Sequence, residues 1–199
     1  MFTRSPHGGP VNPISKEAAA MFKQNMELCA QRECYVHAPY FINYASANSR
    51  IRYGSIAVIR EELERSSLLG VKYLMAHLGS FKDLGEKDGF KQLVEGLDKT
   101  LKGYRGETQF LVEITAGAGA IIGSTFENIA EIIFHPKLKK YDIGVCYDTQ
   151  HAFASGYDCR TPEAVKKTLA QFDKIIGLDK LKMSQCNDSK PEFNSHKDR

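Results

Sequence analysis

Residue types that hold divalent metals stand at the ends of successive apolar runs in this chain. His37 falls in CYVHAPY, His77 in VKYLMAHLG and Glu113 in QFLVEITAG. Asp148 ends DIGVCYD with His151 three residues on, and Gln185 lies in LDKLKMSQC, followed by Asn187 and Asp188. A lone histidine at a strand end is usually a hydrogen-bonded loop residue; the signal is the repetition over consecutive strands. Imidazole and carboxylate together suit zinc, manganese or iron(II) better than calcium or magnesium, which favour all-oxygen shells. Several of each exceed the four ligands of one tetrahedral zinc. The pattern therefore reads as a cluster of two or more metals, with a carboxylate such as Glu113 bridging. Two neighbouring metals can share a hydroxide and clamp both oxygens of an in-line phosphoryl displacement, which makes phosphodiester hydrolysis the leading chemistry. His7, His135 and His196 have no comparable placement; His135 precedes Pro136 at a helix end, where a solvated role beside the helix dipole is expected.

The elements that must position these residues alternate. Helices are expected at about 15–31 (capped by Ser15, with Met21, Phe22, Met26 and Leu28 as its apolar side), 55–69, 90–101, 125–134 and 162–176, the last with Thr161 as cap and Pro162 in its first turn. Strands are expected at 34–40, 71–79, 109–117, 142–148 and 178–186. The stretch after Asp148, QHAFASG, reads as a small-residue segment ending in Gly156. Alternation with short connections implies parallel strands joined by crossovers, and the continuous apolar character of the strands implies burial on both faces. An open doubly wound sheet and a (β/α)8 barrel both satisfy this. AGAGA at 116–120 resembles a nucleotide-binding turn only loosely, lacking a third glycine that opens a helix, so no nucleotide cofactor is expected. The barrel is favoured because all its strand C-termini point to one face, where active sites lie.

The totals bound the rest. A chain of 199 residues suits one domain, and 42% hydrophobic with 26% charged residues is ordinary for a soluble protein. No apolar run approaches the ~20 residues that span a membrane, and MFTRSPHGGPVNP has no apolar signal core, so no membrane partner and a cytoplasmic location are expected. The five cysteines are odd in number and form no CxxC pair, consistent with reduced thiols; Cys146 and Cys186 are expected to pack in the core. A net charge of +3 and a pI near 8.5 permit a nucleic-acid partner without arguing for one. The lysines at 137, 139, 140, 166 and 167 are expected to be solvated.

The phrases FTRSPHGGP, VHAPYFINYAS, GSIAVIREELERSSLLG, MAHLGS, VEITAGAG, VCYDTQHAFASGYDCRTPEA and NDSK followed by HKDR run along nearly the whole chain. In that order they resemble the endonuclease IV group (family 2) of abasic-site endonucleases. The resemblance implies a xylose isomerase-like (β/α)8 TIM barrel, here a partial single domain over 1–199. It also implies a trinuclear zinc site, with manganese as a substitute, and a DNA-repair endonuclease whose zinc-activated hydroxide cuts the backbone of double-stranded DNA 5′ to an abasic site. Carried over position by position, His37 and His77 bind one zinc, Glu113 bridges to a second that Asp148 also binds, and His151 and Asp198 bind the third. Glu113 and Asp148 are thereby catalytic, and Tyr40 lies against the DNA at the abasic gap, unless it simply packs the next loop. An abasic nucleotide lacks the stacking that opposes extrusion.

Two positions depart from the family. Gln185 stands where a second-zinc histidine is expected, and an amide is a much weaker zinc ligand; Ile114 stands where an asparagine is usual. The chain is also expected to lack the first barrel unit and the last strand region with further ligands, since a complete barrel takes about 250 residues. The expectation is one zinc at His37, His77 and Glu113, with the other sites each a ligand short and activity weak or absent. A sugar isomerase or epimerase of the same barrel type, or a non-catalytic DNA-binding remnant, are the alternatives; the oligomeric state is left open.

Overall fold

The computed structural model describes all 199 residues, Met1–Arg199. Five strands, β1 (Tyr35–His37), β2 (Tyr73–Ala76), β3 (Gln109–Glu113), β4 (Gly144–Asp148) and β5 (Leu181–Gln185), form one sheet. Each is parallel to its neighbour and their order is β1-β2-β3-β4-β5. A doubly wound sheet reverses its strand order at a switch point. Here every new strand is added on the same side, as in a barrel, so the sheet is a curled partial barrel of the expected type.

Six helices connect or flank the strands: α1 (Lys16–Leu28), α2 (Ser49–Leu68), α3 (Gly85–Leu101), α4 (Phe126–Ile133), α5 (Thr149–Ala154) and α6 (Pro162–Ile175). All of their starts but that of α3 follow side-chain capping. The side chains of Ser15, Asn48, Thr125, Asp148 and Thr161 each accept a backbone N–H from the first turn, satisfying donors that no intrahelical carbonyl can reach. Asn48 explains why α2 begins at Ser49 rather than near Ser55. The strands are shorter than the apolar runs, because pairing stops where each chain leaves the sheet. Residues 178–180, read as strand, form a 3-10 turn before β5.

Several sequence expectations need correction. On α1 only Ala19 is buried, and Met21 and Leu28 are 61% and 75% exposed, so they are not its packed side. The small-residue segment after Asp148 is helical over Thr149–Ala154, as α5. Cys186 is exposed, whereas Cys146 is fully buried. Lys140 is exposed, as expected of a solvated lysine, and also pairs with Asp98 at 2.8 Å.

Packing has two layers. The outer side of the sheet (Val36, Leu74, Val112, Val145) meets the helices in one large core with Ile59, Leu63, Leu93, Leu97, Phe126 and Phe172. The inner side carries a smaller cluster of Tyr73, Met75, Leu111 and Cys146, with Tyr35 and Met183 against it. The N-terminal segment is tied down along β1, where Met1 donates its amine to the Tyr35 carbonyl and accepts the His37 N–H. It is held further by Glu62, buried in α2, which accepts from Thr3 and Arg4 at 2.6 Å each. Arg65 donates to the carbonyls of Thr3 and Asn12. No helix is long and apolar enough to cross a membrane.

Candidate metal centre

Side chains two residues apart on a strand share a face. His37 therefore shares the face of Tyr35, Glu113 that of Leu111, Asp148 that of Cys146, and Gln185 that of Met183; His77, just beyond β2, continues Tyr73 and Met75. The inner face thus has an apolar floor and, at the C-terminal ends of its strands, a layer of imidazoles and acids. Register adds to this, since Asp148 and Gln185 are paired across β4 and β5. The layer lines a cavity of about 960 Å³ that includes His37, His77, Glu113, Asp148, His151 and Gln185.

Glu113 is the centre of the layer and is 1% exposed. Its Oε2 lies 3.2 Å from His37 Nε2 and 3.7 Å from His77 Nε2. Its Oε1 lies 3.5 Å from His151 Nδ1 and accepts from Gln185 Nε2 at 3.2 Å. The imidazoles of His37 and His77 are 5.4 Å apart, and those of His77 and His151 5.2 Å. Two triads result in which ligand-type atoms lie within 4.8 Å of one another: His37, His77 and Glu113; and Glu113, Asp148 and His151.

These residues fit a divalent cation. His37 Nδ1 is 2.5 Å from the Ala38 carbonyl oxygen, which can only accept, so that nitrogen carries the hydrogen. In the neutral ring Nε2 then turns a lone pair toward the Glu113 carboxylate. A backbone carbonyl that fixes the tautomer in this way is the usual support of a metal-binding histidine. Glu113 Oε2 and His77 Nδ1 are buried without a hydrogen-bond partner in the protein, a costly arrangement unless something positive answers the oxygen.

The proton affinities carry the same message. Burial alone would raise the Glu113 pKa, but the adjoining His151, His37 and His77 rings reverse this and hold the carboxyl at about 2. Burial would lower the pKa of His151, but Glu113, Asp148 and Asp198 outweigh it and lift it to about 9. His37 moves the same way, burial being overcome by Glu113. His77 moves down, because its burial outweighs the carboxylate. The pocket calls for positive charge, supplied by protons when nothing else provides it.

The local chain explains how the outlying groups arrive. Asp148 caps α5 by accepting the His151 N–H at 3.0 Å, which turns His151 back toward Glu113 and Ile114. Asn187 Nδ2 donates to the other Asp148 oxygen at 2.5 Å. Asp198, exposed, reaches only His151, at 3.6 Å from Nε2. Tyr40 is 58% exposed at the rim, in edge contact with Phe2 and His37 at 5.4 and 5.5 Å. The contact of Phe2 with His37, at 5.4 Å, and the cavity-lining Asn43, Ser80, Thr115 and Gln150 were not singled out from sequence. Nothing in their types marks them; strand parity would have flagged the inward set, but loop residues obey no period and Gln150 lies in a helix of only six residues. Gly79, in the loop after β2, has φ 103°, and a Cβ there would stand 2.3 Å from Asn43 Oδ1 and 2.5 Å from Asn43 Cα. Only glycine lets these two loops close beside His77.

The family model of the xylose isomerase-like TIM barrel matches residues 1–199. A protein of Nitrosopumilus maritimus named probable endonuclease 4 is 37% identical over 207 residues, covering 100% of this chain and 71% of that protein. The protein of the same name from Chloroflexus aurantiacus is 34% identical over 204 residues, at 100% and 70% coverage. Among solved structures, endonuclease IV from Thermus thermophilus superposes with a TM-score of 0.84 at 30% identity, covering 100% of this chain and 69% of that one. A D-tagatose 3-epimerase-like protein reaches 0.67 at 21% identity, with 92% and 66% coverage, which speaks for the shared fold alone. With the barrel model spanning the whole chain and relatives above 30% identity along all of it, the chain belongs to the endonuclease IV family of xylose isomerase-like TIM barrels.

Proposed function

We propose that the chain is a metal-dependent DNA-repair endonuclease that hydrolyses the phosphodiester 5′ to an abasic site, with zinc as its principal metal and duplex DNA as its partner. The observation that carries this reading is the convergence of His37, His77, Asp148 and His151 on one buried carboxylate, Glu113, in a chain whose full length matches proteins named endonuclease 4. Divalent cations in such a layer supply Lewis-acid charge to a phosphodiester and lower the pKa of water.

The chain's own residues do the rest. Glu113 offers one oxygen to each triad and so ties them at a fixed separation. Its depressed pKa keeps it anionic at neutral pH. Asp148 cannot swing away, since the His151 N–H and the Asn187 amide each hold one of its oxygens. His37 and His77 hold their Nε2 atoms toward Glu113 Oε2, ready to bind. Tyr40 presents an exposed ring beside the cavity, suited to stacking where a base is missing.

The test is a DNA duplex carrying a single abasic analogue, incubated with zinc-loaded protein. Cleavage on the 5′ side leaving a 3′-hydroxyl is expected, with none on the intact duplex. Absence of nicking by stoichiometrically loaded protein, or turnover of a ketose instead, overturns the proposal.

A further inference from the structure

The two oxygens of Glu113 face unlike neighbourhoods. Oε2 meets two imidazole nitrogens, His37 Nε2 and His77 Nε2. Oε1 meets none that can bind a metal. The nitrogen 3.5 Å from it, and 3.9 Å from Asp148 Oδ1, is His151 Nδ1. That atom lies 3.0 Å from the Ile114 carbonyl oxygen. A carbonyl only accepts, so Nδ1 bears the hydrogen and has no lone pair to give. The other nitrogen of the ring is turned to Asp198.

What remains around Oε1 is oxygen. Asp148 contributes a carboxylate whose oxygens each accept one hydrogen bond and keep a further lone pair. Gln185, its register partner on β5, brings its side-chain amide to 3.2 Å from Oε1. The amide donates its N–H there, but the terminal torsion of glutamine is soft and two-fold, and its nitrogen and oxygen ends have nearly the same shape. A half-turn puts Oε1 of Gln185 where the nitrogen stands. The nearest sulfur, Cys146 Sγ, belongs to the inner apolar cluster and does not line the cavity.

We infer that Gln185 splits the cluster into two unlike cation positions: a nitrogen-rich one at His37, His77 and Glu113 that takes zinc, and an oxygen-only one at Glu113, Asp148 and Gln185 that takes a hard divalent cation, manganese or magnesium. The buried, unpartnered Glu113 Oε2 marks the first position. Imidazole favours zinc, whereas carboxylate and amide oxygens suit manganese and magnesium. Zinc therefore loses most of its advantage at the second position while keeping it at the first. The inference rests on the metal-centre part of the proposed function and is independent of whether DNA is cut.

The experiment uses the full chain, stripped with chelator and titrated with zinc alone, with manganese alone, and with manganese after one equivalent of zinc. Metal content is read by elemental analysis and bound manganese by its paramagnetic resonance. Two zinc affinities at least about tenfold apart are expected, that being the low end of what altering even a partner of a ligand does. Manganese should occupy one position without displacing the first zinc. Gln185→His should tighten the second zinc by about tenfold or more and weaken manganese uptake. Gln185→Glu, which keeps an oxygen donor and adds charge, should strengthen manganese binding and serves if the histidine variant does not fold. Two zincs of equal affinity, or a single cation position whatever the metal supplied, overturns the inference. Nicking assays on the same samples separate the two claims. Mixed loading without cleavage sinks the proposed function and leaves this inference standing.

Discussion

At the level of single residues, Glu113 is the buried acid on which the rings of His37, His77 and His151 converge. Replacing it by glutamine keeps the shape and removes the charge, so Glu113→Gln should cost zinc affinity about 100-fold or more, beyond the roughly 10–100-fold that follows from altering a ligand's hydrogen-bond partner. Equilibrium dialysis against buffered zinc measures this. The imidazoles give a pH signature in the chelated protein. His151 has a folded pKa of about 9, above its ordinary value, and His37 is raised as well. Their stabilising contribution is complete below roughly pH 6.5 and is lost as pH rises through the folded values. His77, shifted down, acts in the opposite sense and weakens the fold below that pH. The melting temperature of chelated protein should therefore fall from about pH 7 toward 9, and His151→Gln should flatten that fall. A melting temperature that climbs over the interval contradicts the charge arrangement. His37, His77, Glu113 and Asp148 were legible in sequence because strand ends are where barrel sites lie. The partner of each oxygen was not, because hydrogen-bond geometry leaves no trace in residue order.

At the level of elements, the site depends on short pieces that sequence periods describe poorly. The helix α5 has six residues and too few turns for an apolar stripe, so periodicity cannot reveal it; what starts it is the Asp148 cap, which also aims His151. The helix α1 misled for another reason: its apolar residues are spread around the cylinder, and packing selected Ala19 over Met21 and Leu28. The loop after β2 relies on Gly79. Gly79→Ala would combine a left-handed φ with overlap against the Asn43 backbone, and the cost should be roughly 3 kcal/mol. For a chain of this size that is a drop in melting temperature of roughly 6–12 °C. Thermal melts check the value, and a loss under about 1 kcal/mol would show that the loops can part easily.

At the level of the whole molecule, one buried ion network fastens the N-terminal segment to α2. Glu62→Ala would leave Arg65 without its acid and Arg4 with only the exposed Glu61, at a cost of about 3 kcal/mol. Because that segment also carries Phe2 against His37, the variant should become protease-sensitive near its N-terminus, while Glu64→Ala, in an exposed i,i+4 pair, should change stability by less than about 1 kcal/mol. The sequence by itself determined the alternation of strand and helix, the parallel sheet, the helix caps Ser15 and Thr161, and the residue types at the strand ends. These depend on local periodicity and capping, which neighbouring residues settle among themselves. Only the tertiary structure decided that the strands follow one another in order, that Glu113 lies between two triads, and that Gln185 and His151 Nδ1 leave one half of the cluster without an imidazole lone pair. Those facts depend on distances between positions some 40 to 70 residues apart, which sheet register and curvature fix and no local pattern encodes.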